Sequence, residues 1–232
     1  FLGLVEGLRS DFHLKEYLGQ AAAFGVPQNR RRVILLGVDR AAEVLPPDDL
    51  LAALPADFDR SATAAGDVLK LTSDLQAEID PIHRARTPRP MTLKRIRAAK
   101  QGGGRLDLPK KLRLACHNRL DNRNATSIYG RIDPSKPAPT MTTRCTTPSC
   151  GRFVHPTEDR GLTLREAALI QSFPIFYSFS GNYGDIERQI GNAVPPKLAE
   201  GLGLIVAALL EDAGVRQDPV HEDAPATLAG VS

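Results

Sequence analysis

The segment at residues 188–196, Arg-Gln-Ile-Gly-Asn-Ala-Val-Pro-Pro, constrains the fold more than any other part of the chain. It combines a Gly-Asn turn with two prolines and leads into an apolar run at residues 198–210. Pro196 suits a helix start, because the N–H that proline lacks would be unpaired in the first turn. The sequence predicts a turn and then a helix, with a glycine that lets the backbone approach a ligand beside Gln189 and Asn192. An ordinary turn before a helix explains the same residues equally well on local grounds.

Length and composition set broad limits on the kind of protein this is. The 232 residues suffice for one domain or two small ones with a sizeable core. No apolar run reaches the roughly 20 residues that span a bilayer, so we expect no membrane partner. Three cysteines do not suggest a disulfide framework and favour a reducing, cytoplasmic location. The chain opens at Phe1 as though inside a structural element, so we interpret it as a fragment, although a processed or trimmed product would look the same.

Charge is distributed unevenly, although the net charge is only +3. Residues 41–82 are mainly acidic, whereas residues 84–131 carry fourteen Lys and Arg against two Asp. A basic block of this kind favours phosphate binding, as in a nucleic-acid partner. A solvated basic face without any partner would have the same composition.

Periodicity predicts strands at the front of the chain and helices behind them. Residues 12–18 alternate like a half-buried strand, residues 20–24 could form a helical turn, and residues 32–38 read as a buried strand. Thr163 and Glu166 have the spacing of a capping box that starts a helix. Further expected elements are helices at 50–54, 65–69, 92–100 (capped by Thr92 and ended by glycines 102–104), 164–171 and 195–214, short strands at 129–131 and 140–144, and a disordered tail at 217–232.

Several segments together resemble DNA cytosine-5 methyltransferases in their order and spacing. Gln28, Arg30 and Arg32 stand as in the family's Gln-x-Arg-x-Arg motif, with a strand behind them. Residues 160–174 are similar to the motif that braces the target-recognition region, and residues 188–196 resemble the family's last motif. Between them, residues 138–144 resemble the Thr-aliphatic pair of the recognition domain. The resemblance covers about residues 1–210.

This resemblance implies an α/β fold built from two parts. Residues 1–40 would be the last strands of an S-adenosylmethionine (AdoMet)-dependent, Rossmann-like methyltransferase sheet, and residues 185–212 would return to it. Residues 41–184 would hold a linker and a smaller, irregular, β-rich domain that recognises the DNA target. Residues 213–232 would be a disordered tail.

The resemblance also implies a chemistry. In this family a cytosine is flipped out of double-stranded DNA, a cysteine thiolate attacks C6, a glutamate supports N3, and C5 receives the methyl group of AdoMet. Arg32 would hold the flipped cytosine near O2 with its fork of donors. Arg30 and Gln28 would help to build that pocket or touch the flanking phosphate. Surface charges at the mouth of a strand are the alternative for these arginines.

Other residues acquire expected roles from the same resemblance. Gly191, Asn192 and Val194 would line the AdoMet site, where an amide can both donate and accept hydrogen bonds. Thr140 and Arg144 are candidates for DNA contact, with core or loop roles as the alternative. Arg165 and Glu166 are expected to be structural, at a helix start and in an internal ion pair. The cysteines and histidines at positions 116, 117, 145, 150 and 155 lack a standard zinc-finger spacing, so we predict no metal site.

Parts of the family pattern have no counterpart in this sequence. Its three cysteines follow Ala115, Arg144 and Ser149, so no Pro-Cys pair supplies a nucleophile, and no Glu-Asn-Val supplies the partner of N3. We therefore predict that the chain alone does not methylate DNA and needs the family's N-terminal half. The expected setting is bacterial restriction–modification in the cytoplasm, at the nucleoid. A subunit of a split methyltransferase, a non-catalytic DNA-binding module and a gene remnant are the alternatives.

Overall fold

The computed structural model describes residues 2–61 and 64–214. The expected tail falls outside these residues from position 215 onward. The helices and strands are, in chain order, α1 (Leu2–Leu8), β1 (Phe12–Gln20), β2 (Gln28–Asn29), β3 (Arg31–Asp39), α2 (Ala65–Lys70), α3 (Pro90–Ala98), α4 (Ala115–Asn118), β4 (Ala138–Pro139), α5 (Leu164–Ile170), α6 (Tyr183–Asn192) and α7 (Pro196–Asp212).

Strands β1 and β3 form an antiparallel pair whose register runs from Phe12 opposite Asp39 to Gln20 opposite Arg31. Both strands were predicted, and so was the helical turn between them, which is the 3₁₀ helix Ala21–Phe24. The prediction that the second strand is buried was wrong, because no residue of β3 is buried and Val33 is 60% exposed. Within the described residues this sheet has only two strands, and its face at the paired residues Leu18 and Val33 is uncovered.

Strands β2 and β4 pair in parallel, with Gln28 opposite Ala138 and Asn29 opposite Pro139. This two-residue ladder joins the front of the chain to its middle. The strand expected at residues 140–144 does not form, because the Met141 N–H is satisfied by the side chain of Gln28 instead of a ladder. At residues 129–131, only isolated bridges form, from Arg131 to Gln101 and Val154.

Two apolar clusters contain most of the buried apolar residues in the described part of the chain, and the segment at residues 188–196 joins them. The larger cluster packs α2, α5 and α6 together and includes Ile186 and Ile190. The smaller one packs α7 against the β1–β3 pair and includes Leu198 and Ile205. The non-helical residues 193–195 between α6 and α7 therefore connect the two halves of the core.

Several helix predictions need correction. The Gly-Asn turn is instead the last turn of α6, a helix started by an unforeseen capping box of Asn182 and Asp185. Helix α3 begins at Pro90 with Arg89 as N-cap, not at Thr92, since proline suits the first turn. Residues 50–54 form turns.

Three other helix predictions are confirmed. Helix α2 forms close to the predicted position. Helix α5 carries the predicted capping box of Thr163 and Glu166. Helix α7 starts at Pro196 as predicted.

By length and composition alone, the stretch Tyr183–Asp212 could cross a membrane. The non-helical residues 193–195, however, break this stretch into two shorter helices. Each of these helices also packs on one of the two apolar clusters.

Candidate functional site

A buried polar junction brings together the segments that carry the motif resemblance. Gln28 is fully buried, and its Oε1 accepts a 2.8 Å hydrogen bond from the Met141 N–H. Its Nε2 donates to Oε1 of Gln171 at 2.7 Å, and Gln171 in turn donates to the Ile190 carbonyl. Two glutamine side chains thereby connect β2, the loop after β4, the end of α5 and α6.

Arg30 adds a second connection through the same region. Its Nη1 donates to the Met141 carbonyl at 2.8 Å and its Nη2 to the Gly191 carbonyl at 3.2 Å. Arg30 is only 5% exposed, and burial followed by the nearby charge of Arg32 lowers its pKa. The donors of Arg30 are directed at these two carbonyls, and the side chain of Gln28 is fully buried. Both residues therefore stabilise the junction from the interior. This arrangement of Arg30 and Gln28 favours a supporting role over contact with a flanking DNA phosphate.

Gly191 has a packing role that differs from the expected one. It is buried, and a Cβ at this position would lie 2.3 Å from the carbonyl of Thr142 and 2.4 Å from the Thr143 nitrogen. The close approach that requires glycine is therefore between two protein backbones and not between backbone and ligand. Gly191 therefore lets the end of α6 pack directly on the backbone at Thr142 and Thr143.

Arg32 stands apart from this junction. It is exposed on β3, and Nη1 donates to the carbonyl of its neighbour Arg31 at 2.7 Å. The rest of its guanidinium has no hydrogen-bond partner among the described residues. Arg32 is therefore free to bind a ligand, whereas Arg30, two residues earlier, is not.

Asn192 lies at an open cleft of about 680 Å³ at the end of α6. It is exposed, and its amide has no partner among the described residues. Val194 is 61% exposed beyond the end of the helix. An amide that can donate and accept hydrogen bonds suits the polar end of AdoMet. The other residues lining the cleft are Ser180, Gly181, Asp185, Arg188 and Gln189.

The two candidate DNA contacts lie in different surroundings. Thr140 is half-buried and its hydroxyl donates to the Asn29 carbonyl at 2.7 Å, at the edge of a second cleft. Arg144 is exposed, and its guanidinium has no partner among the described residues. Both hold atoms that remain available to DNA.

The basic block is only partly a surface. Arg105 and Arg131 are buried, with relative exposures of 1% and 8%. Arg105 donates to the carbonyls of His117, Asp121 and Asn124. Arg131 donates to the carboxylate of Asp159 and to the carbonyls of Ile96, Ala99, His155 and Glu158. These two arginines hold the irregular middle of the chain together and do not form a phosphate-binding surface.

Glu166 and Arg165 are structural, as predicted, but they bind other partners. Glu166 is fully buried and accepts two hydrogen bonds from Arg160, at 2.7 and 2.8 Å. Arg165 instead pairs with Asp80, across 85 residues of sequence. Neither partner could be found from local sequence, although the Thr163–Glu166 capping box could.

Comparison with known proteins decides the family. Residues 8–205 match the family described as C-5 cytosine-specific DNA methylase. The chain belongs to this family. Solved structures agree with its mixed α/β methyltransferase fold. They include a putative DNA modification methyltransferase encoded within a prophage (E. coli), with TM-score 0.64, 18% identity, and coverage of 90% of this chain and 64% of that one. S. pombe Dnmt2 methyltransferase has TM-score 0.57 and 16% identity, covering 91% and 61%.

Curated relatives of this C-5 cytosine methylase chain differ in how much of their length it spans. It is 32% identical to Type II methylase M.HgiDII of Herpetosiphon aurantiacus over 89% of this chain and 58% of the relative. For Type II methyltransferase M1.HphI of Haemophilus parahaemolyticus the values are 31%, 84% and 48%. For Type II methyltransferase M.AquIB of Picosynechococcus sp. they are 36%, 56% and 89%. The chain thus spans about half of two relatives and most of the third.

The three cysteines of this chain differ in their exposure. Cys145 is fully buried, and burial raises the pKa of its thiol far above its usual range, which disfavours a nucleophilic thiolate. Cys116 and Cys150 are exposed. Across residues 2–61 and 64–214, no three His, Cys, Asp or Glu side chains cluster as a metal site.

Proposed function

We propose that this chain is the C-terminal portion of a sequence-specific, AdoMet-dependent DNA cytosine-5 methyltransferase, acting in bacterial restriction–modification in the cytoplasm, at the nucleoid. It would supply target recognition and part of the base and cofactor pockets. The buried junction of Gln28, Arg30, Met141 and Gly191 carries this proposal. It ties the motif segments together while Arg32, Asn192 and Thr140 keep unpartnered atoms at the surface.

The base pocket is proposed to use the contrast between Arg30 and Arg32. Arg30 is held by two carbonyls and positions the start of β3. Arg32, exposed and largely unpaired, would then direct its planar donors at O2 of a flipped cytosine. Gln28 would act only by fixing the loop at Met141.

The cofactor pocket is proposed to have one wall here, formed by Asn192 and Val194 with Gly191 behind them. When bound, AdoMet would supply the methyl group. The Asn192 amide would donate to and accept from its polar end, and Val194 would contact its apolar part. Thr140 and Arg144 would contact the DNA backbone or base edges from the recognition domain.

We expect the chain alone to be inactive, because none of its cysteines follows a proline and Cys145 is buried. The test incubates it with duplex DNA and labelled AdoMet, with and without a separately expressed N-terminal half of a related methyltransferase. Label in cytosine should appear only in the mixture. Incorporation by the chain alone would overturn the assignment of missing catalytic groups, and no incorporation with several halves would count against the proposed function.

A second candidate, a natural subunit of a split methyltransferase, is favoured by the match to M.AquIB. The matched 143 residues cover 89% of that relative, so a chain little longer than this segment occurs on its own. The two-stranded β1–β3 sheet also exposes Leu18 (65%) and Val33, a surface that a partner subunit could cover. Co-purification with a partner encoded by a neighbouring gene, and activity of the pair only, would support this candidate. Full activity from one continuous longer chain would exclude it.

A further inference from the structure

A cleft of about 400 Å³ lies between Thr140 and Arg152, a residue that the sequence did not single out. The rest of its lining consists of Asn29, Gly102, Asp133, Lys136, Pro137 and Pro139. Because Thr140 is a candidate DNA contact, this position brings Arg152 to the same surface.

The stem of Arg152 is held in a fixed position. Its Nε donates to the Gly103 carbonyl at 2.9 Å. Its Cγ packs against Gly130, where a Cβ would lie 2.7 Å from that carbon and 2.4 Å from the Gly103 oxygen. These contacts use the stem and Nε alone, and both terminal nitrogens lack a partner among the described residues. Arg152 therefore presents two free donors from a rigid support.

The free donors distinguish Arg152 from the two buried arginines of this region, Arg105 and Arg131. Arg105 and Arg131 donate from both terminal nitrogens to protein oxygens. Arg152 is half-buried, its stem is fixed and its planar end is unpaired. Such a side chain loses little further conformational entropy when it binds a ligand. Its geometry matches two adjacent acceptor atoms.

The chemistry of the cleft favours a base edge over a phosphate. Asp133 places a carboxylate there, and hydrogen bonds from Ser135 and then Lys136 lower its pKa to about 2, so it remains charged. Asp133 Oδ2 pairs with Lys136 at 3.1 Å, so the lysine charge in this cleft is already offset. The carboxylate can still accept from a base amino group, and the edge of a G·C pair presents both acceptors and such a donor. Arginine pairs with O6 and N7 of guanine through two parallel hydrogen bonds.

We infer that Arg152 is a specificity-determining residue that reads a guanine edge of the target site; this rests on the proposed function. The test selects duplexes with randomised centres using the purified 232-residue chain. Fluorescence anisotropy then compares the wild type with Arg152→Gln, Arg152→Lys and Arg123→Gln on the selected duplex and its single-position variants. Both substitutions at Arg152 keep an aliphatic stem against Gly130. Arg123, exposed and without a side-chain partner in the described residues, is the charge-matched control.

Both Arg152 variants should bind the selected duplex about 10- to 100-fold more weakly and lose the preference for guanine at one position. Arg123→Gln should weaken binding to all duplexes equally. Near wild-type affinity in Arg152→Lys, together with an equal loss of affinity for all duplexes in Arg152→Gln, would identify a phosphate contact. That result would overturn the base-edge inference. Unchanged selectivity in both variants would overturn the inference and leave the proposed function intact. A wild-type chain that selects no sequence would overturn both.

Discussion

Gln28 and Gln171 are 143 residues apart in sequence, yet their side chains share a 2.7 Å hydrogen bond in the interior. Each also binds a backbone group of a further segment, at Met141 and Ile190 respectively. The pair therefore connects the Gln-x-Arg-x-Arg segment through the end of α5 to α6, beside the direct bond from Arg30 to the Gly191 carbonyl. Loss of either member leaves buried polar groups unpaired.

Substituting either glutamine should measurably destabilise the fold. We expect Gln28→Ala and Gln171→Ala each to reduce the free energy of unfolding by about 1–3 kcal/mol, the usual cost of unpaired buried polar groups. The double variant should lose less than the sum, because the shared bond is already absent after the first change. Urea unfolding of the four proteins measures this. Gln189→Ala, at an exposed position on α6, is the control, and strict additivity would contradict a shared bond.

Substitution of Arg30 should mainly reduce stability, whereas substitution of Arg32 should mainly reduce activity. Lysine cannot bridge the carbonyls of Met141 and Gly191, so Arg30→Lys should reduce stability by about 2 kcal/mol. Arg32→Lys, at an exposed position, should change stability by less than about 0.5 kcal/mol. In the reconstituted enzyme it should nevertheless reduce methyl incorporation about tenfold or more, through loss of the planar donor pair. Equal activity of Arg32→Lys and the wild type would remove Arg32 from the base pocket.

Gly191 and Gly203 offer a matched pair of helical glycines. An added Cβ at Gly191 would meet the Thr142 backbone at 2.3 Å, so Gly191→Ala should cost about 3 kcal/mol or prevent folding. At Gly203, within α7, nothing lies within 4 Å of an added Cβ. Gly203→Ala should therefore stabilise the protein by about 0.5–1 kcal/mol. Thermal and urea unfolding compare the two, and a neutral Gly191→Ala would show that the loop at Thr142 yields easily.

Sequence could predict the elements whose signals are local. The alternation of β1, the Thr163–Glu166 capping box and Pro196 at the start of α7 depend on neighbours within a few residues. The burial of Arg105 and Arg131 could not be predicted in this way. The middle of the chain has few ladders, so many carbonyls lack backbone partners, and arginine, with five donors, satisfies several of them at once. From their charge alone, these two arginines were predicted to lie on a phosphate-binding surface.

The candidate site was predicted by residue type more than by role. Gln28, Arg30 and Gly191 do lie together, but as interior supports, because their partners belong to distant segments. Arg152 escaped notice because its position is set by glycines 103 and 130, which from sequence alone are only turn signals.

Acid should destabilise the fold near neutral pH through His155. This side chain is buried, and its Nδ1 accepts a 3.1 Å hydrogen bond from the Glu158 N–H, so protonation there would break the bond. Burial, as the main cause, lowers the pKa of His155 below its ordinary value. Below about pH 6.5 the unfolded chain therefore binds more protons than the folded one, and stability must fall as the pH decreases through that value.

The test measures the free energy of unfolding between neutral pH and about pH 5, above the range in which most carboxylates titrate. The wild type should lose stability across this range, and His155→Asn, which keeps an acceptor, should show a smaller loss. Some loss should remain, because burial also lowers the pKa of His117. His13→Asn, on half-buried β1, is the control for the loss of a histidine side chain. An identical slope in His155→Asn would mean that His155 does not take up its proton on unfolding.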